Sequence, residues 1–388
     1  MVSRAEGVFT RDEYRRRAAL TKAAMAEKGI DLLFVVEQSN LIWLTGYLAQ
    51  SAYVEQSAVV DPNADEPMLC VRQQDFPAAV HLSYMDRARV IGFPERLIAN
   101  PDENGYDHMV AWLRDAGLIS GRIGVEMGEL SATAVNHLRR IMDGASLVDA
   151  TGLVTWLRLQ KSDEEIVVMR EAAAISDAAM GAAVERISAG VHERDAVRAA
   201  VDTLIAGTDG VAGTQFHSVN FCTTPLTGTS HIHWSDHVYG PGSQVNIELG
   251  GTRYAYCSGL MRTVHVGDPP DRLKRLHEAQ VEGLAAGLNA AKVGNTAADV
   301  ANAFHSAINR HGFAKVSRCG YAIGINWTET SASLKPEDKT VLRPNMTFHL
   351  MLGNWIDEDF GYVISETFRV TEQCGEALGN FPRDLFIK

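Results

Sequence analysis

No apolar run in this 388-residue chain reaches the roughly 18 residues that a membrane-spanning helix requires. The amino-terminal stretch MVSRAEGVFTRDEYRRR also lacks the apolar core of a secretory signal, so a cytoplasmic protein with no membrane partner is expected. Cysteine is sparse. The five residues (Cys70, Cys222, Cys257, Cys319 and Cys374) are scattered, odd in number and never in a CxxC pair. That excludes a sequence-evident zinc ribbon and suits reduced thiols. Basic excess is missing as well: the net charge is -12, whereas nucleic-acid phosphates demand clustered Lys and Arg. Neither a long repeat nor a low-complexity segment is visible. There is no GxSxG nucleophile elbow, and GYAIG (Gly320 to Gly324) does not follow the strand of a dinucleotide site.

What is present is the composition of an ordinary globular protein, 46% hydrophobic and 22% charged, in a chain long enough for two domains. Thr10-Arg-Asp-Glu13 is a capping box that predicts a helix to about Lys28, with Gly29 to end it. DLLFVV (Asp31 to Val36) predicts a buried strand, and MLCV and RIGVE predict two more. SNLIWLTGY (Ser39 to Tyr47) reads as loop and short helix, and helical patterns occupy about 107–117 and 132–143. This alternation indicates an α/β domain closing near Ala150. A second capping box, Ser162-Asp-Glu-Glu165, opens a long helix to about Ile187. Further helices are expected at about 192–206, 270–291 and 296–311, with strands at 245–249, 253–257, 262–266, 345–351 and 362–370. Helices mixed with hairpins in this way point to α+β architecture. The charged connector LRLQKSDEE (Leu157 to Glu165) marks the boundary.

Five polar residues stand out in the second half: His231 and His233 in TSHIHWSDH, Glu248 in VNIELGG, His349 in MTFHLMLGNW and Glu366 in VISETFRV. A carboxylate inside an apolar strand is costly to bury unless it is paired. A half-exposed strand with Glu248 or Glu366 facing water is equally compatible with these segments. The His231-Ile-His233 spacing puts both imidazoles on one face if the segment is a strand, although a pair of loop histidines fits as well. His349 reads locally as a hydrogen-bonded core histidine. Tyr256 in YAYC alternates with Tyr254, which leaves cleft and solvent equally open.

Taken together, SNLIWLTGY, the LxxQKSDEEI connector and the order of the later segments resemble the creatinase, aminopeptidase P and methionine aminopeptidase superfamily. The resemblance covers nearly the whole chain. It implies an α+β pita-bread catalytic domain over residues 156–388, preceded by a smaller α/β creatinase/prolidase-type domain over 1–155, in a homodimer. Metallopeptidases of that superfamily hold two metals with Asp, Asp, His, Glu and Glu. The matching positions here are Glu248, Gly259, Tyr321, Met351 and Glu366. A dinuclear site needs about four or more charge-bearing donors to offset ion desolvation. The resemblance thus implies a site without metal or other cofactor.

Among metal-free members, creatinase-like enzymes would call for an acid immediately before the Arg262-Thr263 pair, where this chain has Met261. Ectoine hydrolases are more similar: they share a strand Glu at position 248, a Tyr at 256, CGYxIG, MTFHxM and a terminal PRDLFIK-like segment. That resemblance makes Glu248 the nucleophile and His231, eleven residues before Gly242, the proton-moving imidazole. It has Glu366 pairing with the cationic nitrogens of a small cationic or zwitterionic substrate. His233, His349, Tyr256 and Tyr321 would be further contacts. Arg262 or a residue of the first domain would hold the substrate carboxylate, and Trp43, Tyr47 and Tyr53 would reach a cleft at a domain or subunit interface. The chain departs from that pattern at INWTETSAS (Ile325 to Ser333), Leu352, Cys257 and Gly259. Other readings are a hydrolase of a different amidino or guanidino acid, a Xaa-Pro peptidase-like protein, and a non-catalytic binding homologue.

Overall fold

The computed structural model describes residues 8–49, 51, 53–217 and 219–388. The chain divides into two compact units, Met1–Arg158 and Leu159–Lys388, slightly later than expected from sequence. The last helix of the first unit accounts for the difference, because Arg158 is buried there and donates to Asn40 Oδ1 at 2.6 Å.

The first unit is built on a mixed sheet of six strands: β1 (Leu32–Val35), β2 (Ser57–Val60), β3 (Met68–Arg72), β4 (Val90–Phe93), β5 (Arg122–Val125) and β6 (Ser146–Asp149). Their order is β4-β3-β2-β1-β5-β6, with only the β1/β2 and β2/β3 pairs antiparallel. All four residues of central β1 are buried, as a strand covered on both faces requires. Among the described residues six α-helices accompany the sheet: α1 (Arg11–Glu27), α2 (Gln38–Thr45), α3 (Phe76–Leu82), α4 (Gly105–Asp115), α5 (Ala132–Ile141) and α6 (Leu153–Arg158). The first capping box is half realised: Thr10 Oγ1 accepts from Glu13 N, while the Glu13 carboxylate turns to Arg16 and Arg17. Trp43 and Tyr47 are buried inside this unit, and the Arg17 guanidinium lies 5.4 Å from the Trp43 ring. Neither is offered to a cleft. Tyr53 is the exposed one, hydrogen-bonded to Arg72.

The second unit repeats one motif twice. Helices α7 (Asp163–Arg186) and α8 (Glu193–Ala206) precede strands β7 (Asn220–Thr223), β8 (Gln244–Arg253) and β9 (Tyr256–His265). Helices α9 (Asp271–Ala290) and α10 (Ala297–Arg310) then precede β10 (Gly320–Ala322), β11 (Ser333–Leu334) and β12 (Thr347–Met351). A small hairpin, β13 (Asn354–Asp357) and β14 (Phe360–Tyr362), leads into β15 (Ser365–Val370), β16 (Gly375–Ala377) and β17 (Phe386–Ile387). One sheet has the order β17-β9-β8-β7 and another β11-β10-β12-β15-β16. Each helix pair shares an apolar core with its own sheet, α7/α8 through Ala179, Leu204, Ile247 and Leu260, and α9/α10 through Leu284, Phe304, Phe348 and Phe368. This is the α+β arrangement expected. The duplication has no counterpart in sequence, because a core face needs only apolar residues at the right period.

The second capping box forms in full, with Ser162 Oγ accepting from Glu165 N and Glu165 Oε2 accepting from Ser162 N. Glu165 also accepts from the buried Tyr256 hydroxyl at 2.6 Å, tying β9 to the start of α7. The strand expected at 253–257 is a hairpin tip: Tyr254 and Ala255 have φ of 48° and 70°, and Arg253 pairs with Tyr256 across them. Tyr254 and Tyr256 therefore do not share a face.

Candidate active site

Strands alternate their side chains between two faces, and the pocket follows from that rule. Asn220, Glu248 and Met261 are cross-strand neighbours on β7, β8 and β9, and all three line a cavity of about 570 Å³. On the other sheet, Tyr321 of β10 and Met351 of β12 line the same cavity. His217, His231, Arg318, Trp327 and Trp355 complete it from loops and from β13.

Glu248 is half-buried in this wall and accepts from Asn220 Nδ2 at 2.9 Å. Burial pushes its carboxyl above the usual range, while the Asn220 hydrogen bond and the His231 charge act in the opposite sense. His231 is held at φ 57° in an irregular segment, not on a strand. The two histidines consequently diverge. His231 opens on the Glu248 cavity, and His233 lines a separate surface groove beside Phe216 and Trp234.

Behind the pocket wall lies His349, fully buried. Its Nδ1 is 3.2 Å from the Tyr321 hydroxyl and its Nε2 is 2.7 Å from Ser365 Oγ. Burial pushes the imidazole down to about 3, so it stays neutral at ordinary pH. A Cβ on Gly259 would come within 2.8 to 3.0 Å of this ring, so the histidine occupies the space that a side chain there would need. The Tyr321 hydroxyl accepts from Trp327 Nε1 at 2.8 Å, and the Trp327 ring meets His349 edge-on at 5.6 Å.

Glu366 and Arg262 are withdrawn from the pocket. Arg262 is fully buried and donates to Glu366 at 2.9 Å and to the carbonyls of Met261, Ser365, Phe381 and Pro382. Arg383 Nε reaches the same Glu366 oxygen at 3.0 Å. Both expected roles, cation pairing by Glu366 and carboxylate binding by Arg262, are corrected by these contacts. On β15 it is Ser365 that points toward the site, through His349, and its neighbour necessarily points the other way. Tyr256 is likewise engaged with Glu165 and does not line the cavity.

Trp327 and Arg318 went unnoticed in the sequence. Trp327 sits in INWTETSAS, the segment singled out as a departure, and that segment is pinned by a buried Lys161–Glu329 ion pair at 3.2 Å. A Cβ on Gly324 would approach Glu329 Oε1 to 2.5 Å, which explains the last glycine of GYAIG. The connector lysine thus reaches the pocket through one loop.

Two helix-pair and sheet repeats around a cleft, following an α/β unit in the chain, define the architecture of creatinase- and prolidase-type hydrolases. The comparisons with known proteins agree. Residues 167–372 match the model of metallopeptidase family M24, and residues 16–160 match the creatinase/prolidase N-terminal domain. An uncharacterized hydrolase/peptidase of Sinorhizobium fredii is 50% identical, and an ectoine hydrolase of Halomonas elongata is 36% identical, each over 98% of both chains. The solved Xaa-Pro dipeptidase of Bacillus anthracis superposes with a TM-score of 0.84 at 21% identity, covering 97% of this chain and all of that one. The chain belongs to metallopeptidase family M24, with a creatinase/prolidase N-terminal domain.

The donor set of this pocket does not fit the two-metal centre that the family name implies. Of the five matching positions only Glu248 presents a carboxylate to the cavity, and Gly259, Tyr321 and Met351 supply none. Among the described residues no group of three or more His, Cys, Asp and Glu is arranged to hold a metal ion. Such a set cannot offset the desolvation of two cations.

Proposed function

We propose that this protein is a metal-independent C–N hydrolase that opens a cyclic amidine of the ectoine type to an N-acetylated diamino acid. The observation that carries the reading is Glu248: a carboxylate in a pocket wall, hydrogen-bonded to Asn220, faced by His231 and, among the described residues, in no ion pair with a Lys or Arg. The full-length likeness to an ectoine hydrolase supports the same choice.

An amidinium carbon is already electrophilic, because its charge is delocalised over two nitrogens. Ion pairing with that cation offsets the burial of Glu248 and keeps the carboxylate ionised for attack. The carboxylate oxygen adds to the amidinium carbon, and the ring C–N bond then breaks. The departing nitrogen takes a proton from His231 and leaves as an amine, with an imidoyl group on Glu248. Water, deprotonated by His231, attacks that carbon; glutamate is expelled and the nitrogen that stays becomes the acetamide. One water is consumed and no electron changes hands. Trp327 and Tyr321 present aromatic surface to the flat cation.

Glu248→Gln keeps the hydrogen-bonding shape and removes the nucleophile. It should lower ectoine turnover by about 1,000-fold or more with an unchanged melting curve. Mass spectrometry of rapidly quenched wild-type enzyme should find the imidoyl mass on the peptide containing Glu248. Retention of a tenth of the activity by the glutamine variant would remove Glu248 as nucleophile.

A further inference from the structure

The pocket contains one guanidinium without a carboxylate. Arg318, just ahead of β10, lines the cavity and is exposed. Its guanidinium lies 4.6 Å from the centre of the Tyr321 ring, and Nη1 donates to Ser333 Oγ at 3.1 Å. Among the described residues no Asp or Glu forms an ion pair with it, although the chain carries 48 acidic residues against 36 basic ones. An arginine left unpaired at the mouth of a cavity, in a chain with a surplus of acids, has donors to spare.

The rest of the cavity identifies what those donors meet. Among the described residues that line it, Glu248 is the acidic side chain and Arg318 the permanently cationic one. Tyr321 lines the cavity with them and feels both charges: after the larger effect of burial, Glu248 raises the phenol, while hydrogen bonds with Trp327 and Thr328 and the Arg318 charge lower it. Arg262, the other arginine near the site, has its donors taken by four carbonyls and Glu366. The backbone before Arg318 is also held in place. Lys315, buried, donates to Ser317 Oγ at 2.7 Å and to the Gly353 carbonyl, and lies 5.4 Å from the Trp355 ring. Holding this segment costs less entropy on binding than ordering a free loop would.

We propose that Arg318 is the anion-binding residue of this pocket, taking the carboxylate of a small zwitterion whose cationic end lies against Glu248. The pocket then selects amidino acids over neutral or purely cationic amidines. The inference rests on the amidine-hydrolase reading for the identity of the cationic end, and on Arg318 itself for the anionic one.

The test compares ectoine with its neutral carboxamide in wild type and in Arg318→Gln and Arg318→Lys variants. In the Gln variant KM for ectoine should rise about tenfold to a hundredfold, the range of a lost charge-assisted hydrogen bond, while kcat changes by less than about threefold. Lysine should restore part of the loss. Wild type should prefer the acid over the amide by a similar factor, and the Gln variant should show no preference. Equal KM for ectoine in wild type and the Gln variant, or a retained acid preference in that variant, overturns the assignment. Failure of the hydrolase reading looks different, since wild type would then cleave no cyclic amidine. In that event calorimetric binding of small amidino and guanidino acids, each paired with its amide, decides the matter for Arg318. Acid preference that vanishes in the Gln variant upholds it, and absence of any acid preference in wild type refutes it.

Discussion

A single residue step on β15 separates a group turned to the site from a group locked in the core. Ser365 reaches His349, and Glu366 is held by Arg262 and Arg383. Sequence offers Glu366 as the conspicuous polar residue in VISETFRV, because a carboxylate stands out where a serine does not. Which face each occupies depends on strand register, which pairs Leu350 with Glu366 and Met351 with Ser365. His349 was legible as a buried, hydrogen-bonded histidine, and its burial carries a measurable consequence. The folded-state value near 3 lies below the ordinary histidine value, so between those two the unfolded chain binds more protons than the folded one. The stability contributed by the neutral ring is complete above about pH 6.5 and is lost as pH falls toward 3, by at most about 1.4 kcal/mol per unit. Urea unfolding of wild type and His349→Gln at pH 7 and pH 5 should show the wild type losing more stability than the variant on acidification. Parallel losses would mean that the ring is protonated in the folded protein.

At the scale of elements, caps were the most readable feature and turns the least. Ser162 and Glu165 sit three residues apart in sequence and define the start of α7 by local hydrogen bonds alone. The tip of the β8–β9 hairpin carries no such mark. Its two-residue loop needs left-handed backbone at both positions, a role for which Asn-Gly is favoured, and this chain uses Tyr254-Ala255. Tertiary contacts compensate: Tyr254 N donates to Thr214 Oγ1 at 2.7 Å, and Arg253 lies 4.1 Å from the Tyr254 ring. Ala255→Gly removes the Cβ strain while leaving those contacts in place. It should stabilise the protein by about 1 kcal/mol. A shift of the urea midpoint to higher concentration at unchanged slope checks this, and an unchanged or lowered midpoint would show that the turn is relaxed.

For the whole molecule, the open question is whether a family named for metallopeptidases has here a member that works without metal. Enzyme purified without chelator should carry well below one equivalent of manganese, cobalt, zinc or iron, measured by elemental analysis. Its ectoine turnover should be unaffected by excess EDTA and by added manganese. Two equivalents of a transition metal, with turnover lost on their removal and regained on their return, would defeat the metal-free reading. The donor count rests on both sheets, since β7–β9 contribute Glu248 while β10 and β12 contribute Tyr321 and Met351. Apolar periodicity revealed most helices and the long strands of this unit, but not the short β7 and β10 that place Asn220 and Tyr321. Neither NFCT nor GYA carries the apolar run by which the equally short β1 and β5 were legible, and both are too brief for a period to register.

Local physics alone determined the capped helices, the buried first-unit strand and the α+β character of the second unit. Each depends on residue type and near-neighbour spacing, which a linear chain displays directly. Only the tertiary structure decided that Glu366 and Arg262 belong to the framework, that His231 and His233 part company, and that Trp327 and Arg318 enter the pocket. Those outcomes depend on strand register and loop anchoring, set by partners such as Lys161 and Glu329 that lie far apart in the chain. A side chain's face is a property of the pairing it joins, and pairing is non-local.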